Sequence, residues 1–495
     1  MSRTLDNSYE DPEALAVKVL DLTKNSRIAI GTSGFGSVGY PKTFPKYLAR
    51  MAAEKGVKIS ILTGASAYAM DGVMAEAGVA ERRYPYQNNP VMRKLINSGV
   101  VEFMDYHLGE WPFLVRNGWL DNVVGTLDLA IVEASKIVGD GFVPTGSVGA
   151  VTAFVDMAKH VIIELNRDVS EELMGIHDIY TPKPGEPIPV RNVSDRVGSP
   201  VVKVPPGKIL GVVESHGIDV GGKPVEPGRT EKAIAENLLE FLQEEIRRGR
   251  LPGNLYPIES GVGAVNDAVF KAVGEAGFTG LRAWTEVIQD SLLNMYLDGK
   301  MEAMSATSLM LSPQNLERVY REAEDIKKNI VLRPQDITNN IEVIRRLRVI
   351  AINTAVEVDI MGNVNSTHIL GKNIINGIGG SGDFSRGAFL SIFITPSTRK
   401  DGRISTIVPL VSHVDTVDHD VDVVVTDQGY CDLRGLSLRE RAKLIIEKCA
   451  HPTYKDQLWR YYEESIKEGG HAPFDPVKAF SFHINYINTG DMRGG

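Results

Sequence analysis

Short runs of branched apolar residues alternate along this chain with stretches whose apolar positions recur at helical spacing. RIAIG (27–31), KISILTG (58–64), LDLAIVEAS (127–135), HVIIELN (160–166), KILGVVE (208–214), STIVPLV (405–411) and VDVVVTD (421–427) read as strands. PKTFPKYLARMAAEKG and EKAIAENLLEFLQEEIRRGR read as helices between them. In the second, Ile234, Leu238, Leu239 and Leu242 share one face, and charged residues take the other. Strands alternating with helices predict an α/β fold with largely parallel sheets.

The alternation breaks once. Residues 181–229, from TPKPGEPIPV to VGGKPVEPGRT, are rich in Pro and Gly and carry few helical patterns. That composition suits a connection with short strands of its own. It predicts two domains, residues 1–225 and 226–495. The halves echo each other. Each opens on a Gly-rich turn, GTSGFGSVG and then SGVGAV. Each follows with a strand ending in small or polar residues, ILTGAS and then LRAWTE. Each has a late apolar strand ending in an acid, LAIVEAS and then VVVTDQG. The pattern predicts a duplicated α/β domain with insertions in its second copy.

Composition narrows the function classes. The length of 495 residues, with 43% hydrophobic and 24% charged, fits two or three ordinary globular domains. A net charge of -9 without any Lys/Arg tract argues against a nucleic acid partner. Backbone N–H groups and local positive charge can still hold a polyanionic cofactor. Cys431 and Cys449 lie in no CxxC or CxxH pattern, so buried thiols in a reducing compartment are expected, not a disulfide or a zinc site. The N-terminal segment has early acids and no long apolar core, and no apolar stretch reaches about 18 uncharged residues. A cytoplasmic protein without a membrane span is the expectation.

Several short motifs bear on chemistry. Gly34-Phe35-Gly36-Ser37-Val38-Gly39 follows a strand and fits G-x-G-x-x-G. A dinucleotide site would also need an acid at the end of the next strand, and KISILTGAS has none. A loop open to some other ligand is the better reading, and an oxidoreductase is disfavoured. Gly217 through Lys223 fits the start of a P-loop, but Pro224 replaces the Ser/Thr that would bind magnesium. Gly377 to Gly382 holds four glycines in six residues, with Asn373, Asn376, Ser381 and Asp383 around them. Converging N–H groups there suit an anion. His413-x-Asp415 with His419 lacks a third firm ligand, so a structural or substrate-contact role is expected and no metal. No G-x-S-x-G elbow is present. Glu286 ends the apolar run LRAWT, and a helical pattern begins at about Val287. A carboxylate at the carboxyl end of a strand is placed to act as a nucleophile. An acid at a helix N-terminus is the ordinary reading, and the local pattern alone favours it.

Ten segments in order change that weighing. GYPKTFP, LTGASAYAMDG, RRYPYQNNP and SVGA, then SGVGAVNDAV, TEVIQD, LRPQDITNN, NSTHILG, NGIGGSGDF and VVVTDQGYCDLRGL, resemble the acetyl-CoA hydrolase/transferase family from about residue 25 to about 485. The nearest subgroup is the succinyl-CoA:acetate CoA-transferases, of the class I type. The resemblance implies two related α/β domains with the active site in the cleft between them. It makes Glu286 the nucleophile. It assigns CoA binding to Gly261, Val262, Gly263, Ala264, Val265, Asn376, Gly380 and Lys400, with Arg399 a neighbour able to substitute. Val262 and Gly380 are the oxyanion donors by the same reasoning. The asparagine of the LRPQ segment matches Asn339, with Asn340 adjacent. One departure stands out: Asp427 occupies a place the family usually gives to Glu, and is shorter by one methylene, about 1.5 Å.

The resemblance implies a CoA-transferase working on a short-chain acyl-CoA and small carboxylic acids such as acetate and succinate, or propionate and butyrate. Glu286 would form an anhydride and then a glutamyl-CoA thioester. CoA enters as a substrate, with no tightly bound cofactor and no metal, and a homodimer is expected. Acyl-CoA hydrolysis by the same glutamate is the alternative. A non-catalytic CoA-binding protein is disfavoured by the retention of Glu286.

Overall fold

In the computed structural model, residues 9–494 are described except for Lys24, 222–225 and Val262. The apolar runs form two sheets. In the first, Arg27–Thr32, Lys58–Thr63, Ala80–Tyr84, Glu102–Phe103, Leu129–Val138, His160–Asn166 and Ile209–Ser215 pair in parallel. Counted along the chain, these strands lie in the order fourth, third, second, first, fifth, sixth, seventh. Gly141–Pro144 and Val202–Lys203 add an antiparallel extension. In the second sheet the strands are Ile258–Ser260, Leu281–Trp284, Met301–Ala306, Ile330–Leu332, Ile350–Thr354, Leu390–Ile394 and Val423–Thr426, again parallel. Their order is the same, with Gly429–Asp432 antiparallel at the edge.

The shared strand order accounts for two of the three sequence echoes. Both Gly-rich turns follow the first strand of a sheet, and ILTGAS and LRAWTE both end a second strand. The third echo does not align: LAIVEAS is a fifth strand and VVVTDQG a seventh. Any strand buried on both faces becomes an apolar run, so composition does not reveal its place in the sheet. STIVPLV is also not one strand. It divides into Ile404–Ser405 and Ile407–Val408, each in a small sheet of its own, where Thr406 turns back by donating to the Pro396 and Ser397 carbonyls.

Each sheet keeps to one side of residues 222–225, where the expected boundary falls outside the described residues. The helix Arg229–Arg247 packs on the second sheet. Phe241 meets Tyr430 edge-on at 5.5 Å between ring centroids, and the Asn237 amide donates to the Thr426 carbonyl at 2.8 Å.

The two units meet along the carboxyl ends of their strands. Leu309 N–H donates to Gly146 O and Val148 N–H to Thr307 O, both at 2.9 Å. The Gln335 side-chain amide donates to Leu108 O at 2.8 Å, and Arg116 binds Asp336 at 2.5 Å. These bonds fix how the cleft walls face each other.

Candidate active site

Glu286 lies at a break between two strand segments. Leu281–Trp284 ends at Thr285, whose hydroxyl donates to Ser260 O at 3.1 Å and ties the first two strand ends together. The Glu286 carbonyl accepts from Thr307 N–H at 2.9 Å and Ser308 N–H at 3.1 Å. The chain then resumes as a strand, Val287–Gln289, paired in parallel with Ser308–Met310. The helix expected at Val287 begins only at Asp290. Val287 and Ile288 are branched residues that suit the pleat, and both are buried. Glu286 therefore caps no helix, which removes the ordinary reading of this acid.

Its half-buried carboxylate is held from the second unit. Asn339 Nδ2 donates to Glu286 Oε1 at 2.6 Å, and Gly380 N–H donates to the same carboxylate. Thr338 Oγ1 donates to Asn339 Oδ1 at 2.8 Å, which turns the amide so that its nitrogen faces the glutamate. Asn340 instead caps the helix Ile341–Arg346 through the N–H groups of Glu342 and Val343, so the two neighbouring asparagines are sorted by geometry. A Cβ on Gly380 would lie 2.2 Å from Glu286 Cδ.

Burial dominates the electrostatics. It pushes the Glu286 carboxyl up to about 7, against the hydrogen bonds from Asn339 and Gly380. Asp383 is pushed up to about 8 by burial, opposed by the Gly109 N–H and reinforced by the charge of Glu286. Glu259 is raised well above the usual carboxylate range, again by burial first and then by Glu286. A carboxylate drawn partly out of water is a stronger nucleophile than one in bulk solvent.

The first unit closes over the Gly-rich loop that carries Gly380. Asp105 accepts from Ile378 N–H at 2.7 Å, and burial lifts its carboxyl to about 7. Arg93 donates to Asn376 Oδ1 at 2.9 Å, and Gln87 N–H to Asn376 O at 3.2 Å. Gly109 N–H donates to Asp383 at 2.9 Å. The Tyr86 ring lies 3.6 Å from where a Cβ on Gly379 would sit, and burial plus the charge of Glu286 push its hydroxyl up to about 12. A groove of about 640 Å³ opens beside Asn339 and Asp383, between Gly109 and Glu110 on one side and Asn340 and Arg345 on the other.

The other expected residues sort unevenly. Gly261 follows the strand Ile258–Ser260, and Gly263, at φ 124°, precedes the helix Ala264–Glu275. This strand–loop–helix start places backbone N–H groups at a helix N-terminus, where anions are stabilised. Gln289 Nε2 donates to Gly261 O at 3.2 Å, so the loop lies beside the strand that follows Glu286. Val265 packs against the core. Val262 lies outside the described residues. Lys400 sits in an exposed turn at φ 49° and donates to the Tyr486 hydroxyl at 2.7 Å. Among the described residues, no hydrogen bond or ion pair joins it to either glycine loop. Asp427 accepts from Ser397 N–H at 2.5 Å, Ser397 Oγ at 3.0 Å and Gln428 Nε2 at 2.6 Å.

Most of the GFGSVG loop is packed, and only Gly36 and Ser37 at its tip are partly exposed. Phe35 and Val38 are buried, Phe35 packs with Ala65, Leu108 and Val287, and Ser308 Oγ donates to Phe35 O at 2.9 Å. The loop packs the first unit against the strand after Glu286. Sequence reading missed Glu259 and Asp105 altogether. Tyr86 was visible only as part of RRYPYQNNP.

Comparison with known proteins agrees with this architecture. Residues 10–203 match the acetyl-CoA hydrolase/transferase N-terminal domain, and residues 316–462 match the C-terminal domain. The chain is 46% identical over 481 residues to a succinyl-CoA:acetate CoA-transferase of Clostridium kluyveri, covering 96% of this chain and 88% of the relative. It is 42% identical to a propanoyl-CoA:succinate CoA transferase of Escherichia coli, covering 94% and 96%. It is 40% identical to an acetyl-CoA hydrolase of Schizosaccharomyces pombe, covering 94% and 93%. RipA from Yersinia pestis shares the fold at TM-score 0.68 and 21% identity, covering 92% of this chain and 99% of that one. The chain is a member of the acetyl-CoA hydrolase/transferase family, and it is an enzyme.

Proposed function

We propose that the protein moves CoA between a short-chain acyl-CoA and a carboxylic acid, such as succinyl-CoA and acetate, by a ping-pong mechanism through Glu286. The observation that supports this best is the half-buried Glu286 carboxylate held by Asn339 Nδ2 and Gly380 N–H. Glu286 attacks the thioester carbonyl and expels CoA thiolate, leaving an acyl-glutamyl anhydride. The thiolate then attacks Glu286 Cδ, the carboxylic acid leaves as its anion, and CoA is joined to the side chain as a thioester. A second carboxylate reverses these steps.

In the second attack the negative charge develops on a Glu286 oxygen. Asn339 and Gly380 already donate there, which is the arrangement that stabilises an oxyanion without reorganisation. CoA would lie along Gly261–Val265 and Asn376, with Val262 as a further donor to the acyl oxyanion and Lys400 supplying charge. No step calls for a metal or a bound cofactor. The groove beside Asn339 offers room for the acceptor acid, with Arg345 set among Glu110, Glu342 and Asp383.

A second reading, acyl-CoA hydrolysis, draws support from the relatives named acetyl-CoA hydrolase. Water then takes the place of the acceptor acid. Steady-state turnover with and without acceptor separates the two: transfer predicts CoA exchange that depends on acetate or succinate. Full-rate release of free CoA without an acceptor would favour hydrolysis. A cytoplasmic homodimer goes with the transfer reading, and light scattering of the purified protein checks its size. Among the described residues, no helix is long and apolar enough to cross a membrane.

A further inference from the structure

The HVD segment has a partner that the sequence did not show. His368, at the start of the short strand His368–Ile369, comes against His413, with ring centroids 3.9 Å apart. Asp415 lies beside them, its Oδ1 3.2 Å from His413 Nε2. One ligand atom from each of the three residues lies within 4.8 Å of the others. His419 is not part of the group: it is exposed and pairs with Asp418.

We propose that His368, His413 and Asp415 form a site for a divalent transition-metal ion of the zinc type. Two ligands about 2.0–2.1 Å from a tetrahedral ion stand about 3.3 Å apart, close to the 3.2 Å between His413 Nε2 and Asp415 Oδ1. Two imidazoles and one carboxylate are the donor set zinc favours when one position stays open to water. With both rings neutral, the group carries a net negative charge that a cation offsets.

The surrounding bonds orient these donors. Thr367 Oγ1 lies 2.6 Å from His368 Nδ1 and 2.9 Å from both Asp415 oxygens. A hydroxyl has one proton to give. If that proton goes to the acceptor-only carboxylate, Thr367 must accept from His368 Nδ1–H. This tautomer leaves the Nε2 lone pair of His368 free to bind a metal. Ser366 N–H donates to Asp415 Oδ2 at 2.6 Å, which turns Oδ1 toward His413. Such second-layer contacts hold metal ligands in place. On binding, the cation takes the position of the proton between His413 Nε2 and Asp415 Oδ1, and that proton moves to His413 Nδ1.

The ion would bridge two segments of the chain while its fourth position stays open to water. Thr367 O accepts from Ile375 N–H at 2.7 Å, and the hairpin His368–Ile369/Asn373–Ile374 runs directly into the loop that ends at Gly380. An ion there ties this hairpin to the segment that follows Val411.

The test uses the full chain, stripped with a chelator and titrated calorimetrically with Zn2+. The proposal expects one equivalent bound and a raised Tm. Affinity should fall at least about tenfold in His413→Ala and in His368→Gln, and stay unchanged in His419→Ala and Cys431→Ser. Co2+ should give the visible bands of a tetrahedral site without a thiolate charge-transfer band. No binding by the wild type, equal binding by the His413 and His368 variants, or a thiolate band from Cys431 and Cys449 would each overturn it.

Discussion

Gly380→Ala adds one methyl group beside the reacting carboxylate. The backbone at Gly380 has φ -84° and ψ -8°, a conformation alanine adopts without strain. The added Cβ would lie 2.2 Å from both Glu286 Cδ and Oε1, and 2.7 Å from Oε2. Ordinary van der Waals contact begins at 3.4 Å, so the carboxylate or the loop must shift by about 1 Å. Displacing a reacting group that far costs on the order of a hundredfold in rate. The shift also lengthens the Gly380 N–H bond to the carboxylate, and loss of one such donor costs on the order of 10²–10³ in kcat. The assay is kcat/KM for acceptor-dependent CoA exchange, with CoA affinity and Tm measured alongside. The expected result is a fall of at least about a hundredfold with Tm nearly unchanged, because the methyl meets the Glu286 carboxylate and not the apolar core. Activity within a few-fold of wild type would refute the placement of Glu286 against Gly380.

Because the Glu286 carboxyl is pushed up to about 7 and only the anion attacks, kcat/KM for acyl-CoA should rise with pH through about 7. Asn339→Ala removes a bond that favours the anion, so it should move that limb upward and lower its plateau; a pH–rate profile checks both. The raised Glu286 pKa also bears on stability. The folded state binds this proton more tightly than the unfolded chain, so the contribution is full below about pH 4.5 and is lost as pH rises to about 7. Glu286→Gln should therefore gain Tm over wild type between pH 5 and pH 8, read by thermal melts in matched buffers. Asp427→Ala removes the acceptor for Ser397 and Gln428 and should cost about 1–3 kcal/mol, measured by denaturant unfolding.

The parallel α/β architecture was legible because a strand buried on both faces leaves an apolar run and a surface helix leaves a stripe. Ile234, Leu238 and Leu242 are buried as that stripe implied, and Leu239 at its edge is half-buried. Strand order was not legible, since LAIVEAS and VVVTDQG look alike yet take different places. Glu286 illustrates the limit of local reading. The residues after it are compatible with a helix in sequence, and only pairing with Ser308–Met310, about twenty positions on, turns them into a strand. Asn339 was visible through the family segment, but the choice between it and Asn340 needed the hydroxyl of Thr338. Asp105 carries no local signal, because its environment is set by contact with the Ile378 N–H of the other unit, and Glu259 takes its own from burial near Glu286 and the Ile352 N–H. His368 met His413 only when the hairpin folded back on the segment beyond Val411.

The central claim is that Glu286 becomes covalently joined to CoA. The enzyme is incubated with an acyl-CoA and no acceptor acid, digested, and analysed by mass spectrometry, with and without borohydride. The account predicts a CoA adduct on the peptide containing Glu286, reduced by borohydride and cleaved by hydroxylamine, and absent from Glu286→Ala, which still binds CoA. An adduct on Asp383, Asp427 or another acid, or near-normal transfer by Glu286→Ala, would contradict it.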